Sequence, residues 1–349
     1  MPSPVRLLSL ATAAAPHEIT QDQVAETARG LFARRFAQFD RMLPVFRNAG
    51  VRTRQLVMPV EWYLEPRSWP ERGEAYLAGA LDLFCRAAQG ALDEADLTGA
   101  EVDIVVTVSS TGIATPSLEA RAMAQMGFRP DAARVPVFGV GCAGGATGLA
   151  LASRLAAAQP GARVLLVCVE LCSMAFSLDK AAKADIVSTA IFGDGGAACV
   201  LRAGEGGFAE VAGYAEHTWP DTLDIMGWRI DPDSLGVILD RALPPFVRKQ
   251  MRPVMEAMLA AQDLTLDDVD RFICHPGGMK VIEALEGAFD LGQGALDHER
   301  GVLADHGNMS SPTVLFILDR VRRAELPKRS VLTAMGPGFT ASTVTLLAA

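Results

Sequence analysis

Apolar and polar positions follow two different periods along this chain. Dense runs of branched apolar residues recur between longer stretches whose apolar residues return every three or four positions. The first pattern marks buried strands, the second amphipathic helices. Strands are predicted over Val5–Thr12, Val102–Ser109, Arg134–Phe138, Arg163–Val169 and Ala198–Leu201. Five more are predicted over Phe208–Tyr214, Leu235–Leu239, Arg271–Cys274, Val331–Ala334 and Thr340–Leu347. A helix opens at the capping box Thr20-Gln21-Asp22-Gln23 and runs through Phe36. Others are predicted over Glu71–Leu97, Ser117–Met126, Ala146–Ala152, Pro244–Ala261 and Met279–Phe289, with a last one ending at Arg322. The segment Arg134–Phe138 reads as buried, and the glycine-rich Ile191–Ala198 reads as a tight turn. No Gly-Lys-Ser/Thr follows that turn, so it is not a phosphate loop.

Strands interleaved with helices predict an α/β fold in which helices cover a sheet. The polar, glycine-rich break Arg202–Gly207 divides the chain into 1–203 and 206–349. The two parts have similar layouts, which suggests a duplicated fold with the site between them.

Composition narrows the partners. The net charge of −9 argues against nucleic acid and confines any phosphate ligand to a local basic patch. Arg41, Arg47, Arg52 and Arg54 form the clearest such patch and read as a phosphate-binding rim. The longest apolar runs fall short of a membrane span. Arg6 followed by Leu7–Ala15 has a faint likeness to a secretion signal, but a single Arg makes a core strand the better reading. Six cysteines without a CxxC pair point to a reducing, cytoplasmic compartment. Five histidines without paired spacing predict no metal site.

The candidate chemistry centres on Gly139-Val140-Gly141-Cys142-Ala143-Gly144-Gly145. Here a strand turns sharply into a helix of small residues. Cys142 on that turn meets free backbone N–H groups and the positive end of the helix dipole, which favour a thiolate. His275 ends a short strand ahead of Pro-Gly-Gly, where an α/β sheet presents ligand-facing groups. Asn308 lies in a polar loop entering a helix. A Cys, His and Asn in this order fit a papain-like protease or a thiol-dependent condensing enzyme. The protease cysteine sits near the mature N-terminus in a different local sequence, whereas Cys142 lies mid-chain.

Five further matches decide the direction. Val140-Gly141-Cys142-Ala143-Gly144-Gly145, Phe192-Gly193-Asp194-Gly195, Cys274-His275-Pro276-Gly277-Gly278, Gly307-Asn308-Met309-Ser310-Ser311-Pro312 and Met335-Gly336-Pro337-Gly338-Phe339 occur in one order over most of the chain. Together they resemble the bacterial type III polyketide synthases of the chalcone and stilbene synthase family. His-Pro-Gly-Gly separates them from ketoacyl-carrier-protein synthases of the same fold, which carry Gln-Ala-Asn after the His. The resemblance implies a thiolase-like fold of two similar layered α-β-α-β-α halves. It also implies that Cys142 takes an acyl group from an acyl-CoA starter and that His275 lowers the thiol pKa by ion pairing. His275 and Asn308 would then hold the thioester oxygen of malonyl-CoA during repeated decarboxylative condensation, and the chain would cyclise to a pyrone or resorcinol. Arg47, Arg52 and Arg54 would bind the CoA phosphates. No metal or redox cofactor is implied. The protein would be a homodimer, with a carrier protein as an alternative starter donor.

Phe192 matches the family's gatekeeper, and Ser310 with Met335-Gly336-Pro337-Gly338 matches its cavity wall. Val237 stands where plant members carry a second gatekeeper phenylalanine. Thr115 replaces a methionine that reaches across the dimer, Cys172 and Ala175 replace threonines, and Met335 replaces a phenylalanine. These departures imply a roomier, less polar cavity suited to a long aliphatic starter, as in an alkylpyrone or alkylresorcinol synthase. The alternatives are a single-step condensing enzyme and a non-catalytic acyl-CoA-binding protein.

Overall fold

Nine of the ten predicted strands form one nine-stranded sheet in the computed structural model of the chain, which describes residues 3–32, 39–176 and 183–349; the tenth, Leu235–Leu239, lies in a separate two-stranded sheet. The first part runs β1 (Val5–Ala14), β2 (His17–Thr20), α1 (Gln21–Phe32), α2 (Leu43–Asn48), β3 (Thr53–Leu56), α3 (Trp69–Glu94), β4 (Ile104–Val108), α4 (Leu118–Met126), β5 (Ala133–Val137), α5 (Gly144–Ala158), β6 (Val164–Leu171), α6 (Lys183–Ile191) and β7 (Asp194–Ala203). The second runs β8 (Ala209–Thr218), β9 (Met226–Ile230), β10 (Leu235–Leu239), α7 (Leu243–Ala260), β11 (Arg271–Cys274), α8 (Met279–Ala288), α9 (Asp297–His306), α10 (Thr313–Glu325), β12 (Arg329–Gly336) and β13 (Thr340–Ala348).

The sheet order is β11-β12-β13-β8-β1-β7-β6-β4-β5. From β4 through β6 and β7 to β1 the pairings are parallel, antiparallel, antiparallel. From β11 through β12 and β13 to β8 they repeat that series. β1 pairs β8 and joins the two repeats. In each repeat one helix precedes the second strand of the series: α5 before β6 and α10 before β12. α5 touches β4, β6 and β7 on one side and β8, β12 and β13 on the other, so it lies between the two parts of the sheet. α10 lies beside it, α3 covers β1, β6 and β7 from outside, and α7 with α8 covers the far side. A helix enclosed on all sides must have a thin surface, which is why α5 reads Gly-Gly-Ala-Thr-Gly-Leu-Ala. A Cβ on Gly145 would lie 2.5 Å from the Ser311 carbonyl oxygen, so only glycine permits this approach.

Local expectations hold at several ends. Thr20 N–H donates to Gln23 Oε1 at 2.9 Å and Gln23 N–H to Thr20 Oγ1 at 3.3 Å, closing the capping box of α1. Its expected end at Phe36 lies outside the described residues. α3 starts at Trp69 because Ser68 and Glu71 form a second capping box.

Two expectations fail. β5 is not a buried strand but the sheet's edge, paired only with β4, and Phe138 beyond it is 63% exposed. Pro136 inside β5 fits an edge, where a missing N–H costs nothing. Gly195 and Gly196 form no turn; they lie within β7, where a Cβ on Gly195 would come 2.5 Å from Met309 Sδ. Among the described residues no helix is long and apolar enough to cross a membrane.

Candidate active site

The duplicated layout puts Cys142 and Asn308 at equivalent places. Cys142 lies in a 3-10 turn, Gly141–Ala143, that runs straight into α5; Asn308 lies in the loop that opens α10. Both side chains point into one buried site, with Asn308 Nδ2 4.0 Å from Cys142 Sγ. The Asn308 amide is oriented from both ends. Its Oδ1 accepts the Ser310 N–H at 2.8 Å, and its Nδ2 donates to the Gly277 carbonyl at 3.3 Å. Ser310 has φ +60°, a sparsely populated conformation for a residue with a Cβ.

His275 follows β11 and its N–H donates to the Thr333 carbonyl at 2.8 Å. The ring is 2% exposed, and neither nitrogen has a hydrogen-bond partner. Burial lowers its pKa to about 3 and raises the Cys142 thiol to about 11. Burial of each group thus works against the thiolate–imidazolium pair expected from the sequence. The N-terminus of α5 opposes the burial penalty on the thiol. Thiolate forms only as its proton leaves.

A carboxylate that sequence reasoning missed braces this site. Glu170 is fully buried in β6. It accepts the Ser110 N–H at 2.9 Å, the Thr111 hydroxyl at 2.8 Å and the Ser311 hydroxyl at 3.0 Å. Ser110 Oγ in turn accepts the N–H groups of Gly139 and Gly141 at 3.1 and 3.3 Å. One side chain thus ties the nucleophile turn to the Asn308 loop. Its signal was a lone acid at the end of the run Val-Leu-Leu-Val-Cys-Val-Glu-Leu.

The space in front of Cys142 and Asn308 is small, about 40 Å³. Phe192, Val237, Ser310 and Pro337 line it as expected, and Trp228, Met226, Ile238 and Leu239 join them. The last four and Val237 belong to the hairpin β9–β10, a separate two-stranded sheet. An outer pocket of about 430 Å³ shares Ile191, Leu239 and Gly277 with this space. Its other walls include Asn48, Met279 and three exposed cations, Lys183, Arg241 and Lys280.

Residues 6–205 match the family described as chalcone and stilbene synthases, N-terminal domain, and residues 211–348 match its C-terminal domain. The chain belongs to the chalcone and stilbene synthase family. It is 40% identical over 343 residues to 1,3,6,8-tetrahydroxynaphthalene synthase of Streptomyces peucetius subsp. caesius, an alignment covering 96% of this chain and 91% of that protein. It is 34% identical to a putative chalcone synthase of Bacillus subtilis, over 95% and 96% of the two chains. The crystal structure of 1,3,6,8-tetrahydroxynaphthalene synthase from Streptomyces coelicolor superposes with a TM-score of 0.93 at 27% identity, covering 98% and 99% of the chains. The fold is that of the thiolase-like type III polyketide synthases, and the protein is an acyltransferase of that class. Such synthases build polyketides from malonyl-CoA by iterative condensation and cyclisation, with acyl-CoA substrates.

Within this synthase the remaining expectations divide. Thr115 is exposed on the loop before α4, outside the cavity of its own chain. Cys172, Ala175, Met335, Gly336 and Gly338 are not among the described residues that line it. Val237 and Trp228 both line the space. Val237 is the cross-strand partner of Trp228, and facing residues of a hairpin share one side. The indole lies on that side, with its ring 6.5 Å from that of Phe192. The arginine rim is also corrected. Arg54 is fully buried, whereas Arg47 and Arg52 are exposed, Arg52 in a surface ion pair with Asp305 and Arg47 beside the outer pocket's Asn48. Alternation along β3 turns Arg54 inward.

Glu170 also predicts a pH effect. Burial raises its pKa to about 7, against roughly 4.3 for an unfolded chain. Between those values the native state holds a proton that the unfolded state has lost, so this group's contribution to stability falls as pH rises. Glu170→Gln removes that dependence. The Tm advantage of wild type over Glu170→Gln is expected to be larger near about pH 5 than near about pH 8. An advantage that grows with pH in thermal melts would contradict it.

Proposed function

We propose that Cys142, His275 and Asn308 run the condensation cycle. Cys142 Sγ attacks the starter thioester carbonyl while its proton passes to a ring nitrogen of His275. CoA leaves, takes that proton and departs as the thiol. Malonyl-CoA then binds with its thioester oxygen between His275 and Asn308 Nδ2. Its C–CO₂ bond breaks, and the electron pair becomes an enolate whose charge rests on that oxygen. The enolate carbon attacks the acyl-cysteine carbonyl, a C–C bond forms, and Sγ leaves as thiolate; that thiolate either takes the extended chain back from its CoA thioester, the CoA thiolate drawing a proton from solvent, or is itself reprotonated from solvent. This cycle balances without a metal or redox cofactor. The observation that carries the reading is Asn308 Nδ2, oriented at both ends and 4.0 Å from a sulfur at a helix start, and bonded to the Gly277 carbonyl two residues after a buried histidine whose ring nitrogens have no partner.

The starter and product are compact. An inner space of about 40 Å³ is far below the roughly 300 Å³ of ordinary ligand pockets. The name tetrahydroxynaphthalene likewise describes a fused aromatic product with no alkyl tail. The apolar walls at Val237, Ile238 and Leu239 favour the second reading, an alkylpyrone or alkylresorcinol synthase, if the hairpin moves. Mass spectrometry of products from malonyl-CoA and a ladder of acyl-CoA starters, with Cys142→Ala as blank, separates the two. Preferred turnover of long-chain starters would overturn the compact reading. Trp228→Gly is expected to move products toward longer chains or starters, because it vacates a large side chain beside Val237. An unchanged product spectrum in the folded variant would remove Trp228 from the specificity wall.

Coenzyme A enters through the outer pocket, and its phosphates meet Lys183, Arg241 and Lys280 rather than Arg52 or Arg54. Hydrogen bonds to charged groups contribute about 1.5–3 kcal/mol each. Lys280→Glu with Arg241→Glu is therefore expected to raise the KM for malonyl-CoA about tenfold or more, steeply at low salt, with kcat changed less. An unchanged KM would return the phosphate site to the Arg47 side.

The protein is a homodimer through β5. That strand is an open edge, and exposed Ile113 and Phe138 flank it. Unpaired edges with apolar neighbours invite pairing with a second copy. Thr115 on the adjoining loop then reaches the partner's site. Sedimentation of wild type against Val135→Pro tests this arrangement. Six free cysteines fit a reducing, cytoplasmic setting. A carrier protein in place of CoA is a donor the same outer pocket admits.

A further inference from the structure

β3 forms a two-stranded ribbon with β2, apart from the main sheet, and uses both its faces. On one face Thr53 Oγ1 and Gln55 Nε2 donate to the Asp305 carbonyl at 3.0 and 3.2 Å, and Gln55 Oε1 lies 2.7 Å from His306 Nδ1. These contacts hold the end of α9, just before Asn308. On the other face Arg54 points into the interior. Its Nη1 donates to the carbonyls of Thr189 and Phe192 at 2.7 and 2.8 Å. Its Nη2 donates to the Ala190 carbonyl at 2.7 Å and to Gln21 Oε1. Gln21 Nε2 donates to the same Ala190 carbonyl at 2.9 Å.

These carbonyls belong to the last turn of α6 and the residue after it. A helix leaves such groups without internal partners, and its dipole favours a cation there. The same segment meets the active site along its opposite edge. Asn308 N–H donates to the Ile191 carbonyl at 2.7 Å, and Gly193 N–H donates to the Asn308 carbonyl at 3.0 Å. Phe192, between them, lines the cavity.

We propose that Arg54 is a positioning residue that sets both the Phe192 gate and the Asn308 amide by gripping the backbone they share. This inference rests on the role proposed above for Asn308. Only a planar fork of donors reaches three carbonyls at once; a lysine ammonium is a point charge. Arg54→Lys therefore leaves carbonyls unpaired and lets residues 189–193 shift.

Displacements near 1 Å at a catalytic group cost up to about 10²-fold. Arg54→Lys is expected to lower malonyl-CoA decarboxylation, measured as CO₂ release without starter, by between about 10-fold and about 10²-fold. Its product spectrum should change as well. Acylation of Cys142 by a starter, read by intact-protein mass, should stay within about threefold, because that step does not use Asn308. Equal loss of acylation and decarboxylation would mean a general structural role and overturn the proposal, as would unchanged decarboxylation and products. Gln21→Ala covers the case in which Arg54→Lys does not fold. It removes the second layer of the same grip, and its decarboxylation should fall in the same direction, by less; no change in a folded Gln21→Ala overturns the proposal. Asn308→Ala serves as the reference. If it keeps decarboxylation, the role of Asn308 fails; if it loses decarboxylation and Arg54→Lys does not, only the inference about Arg54 fails.

Discussion

Cys142→Ala is expected to abolish acyl-enzyme formation and product release together, a loss on the order of 10⁴-fold or more in turnover. The sulfur lies where α5 begins, at the floor of a space too small for a second nucleophile to take its place. The other five cysteines are buried, and none lines that space. The variant should nevertheless decarboxylate malonyl-CoA, because His275 and Asn308 remain. Intact-protein mass after incubation with starter reads the first effect; CO₂ release reads the second. Elongated products at a comparable rate from the alanine variant would remove Cys142 from the chemistry. The pH dependence should follow from the burial of both partners. Burial disfavours both a Cys142 thiolate and a His275 imidazolium. Acylation should therefore depend on His275 as proton acceptor, and His275→Ala should slow it at pH 7 and less so at high pH.

Asn308→Ala is expected to cost about 10²–10³-fold in decarboxylation and in condensation, the usual effect of losing one donor to a developing oxyanion. The amide is held by Ser310 N–H and the Gly277 carbonyl, so it costs little reorganisation when charge appears on the substrate. Acylation of Cys142 should survive far better. A variant that acylates as poorly as it decarboxylates would show that Asn308 shapes the pocket instead of stabilising the enolate. CO₂ release and single-turnover acylation, measured side by side, distinguish the two.

Where sequence reading succeeded, the signal was local. A β-branched run, a glycine turn and a small-residue helix place Cys142 just before α5 because each is dictated by backbone geometry within a few residues. The same holds for His275 after β11 and for the capping box of α1. The failures are equally particular. Arg52 and Arg54 are two residues apart in a basic stretch, yet one pairs with Asp305 at the surface and the other is buried under α6. Val237 read as added room because the sequence does not reveal that Trp228 faces it across a hairpin. Arg134–Phe138 read as a core strand because apolar content alone does not tell whether a strand has one neighbour or two.

The sequence by itself thus determined the elements on which Cys142, His275 and Asn308 sit and the family the chain belongs to. Those depend on residue type and short-range spacing. Only the tertiary structure decided which charges face solvent, how much room the cavity keeps and what holds Asn308 in place. Those depend on which distant segments meet, since a side chain's environment is supplied by neighbours that the chain brings in from far along its length.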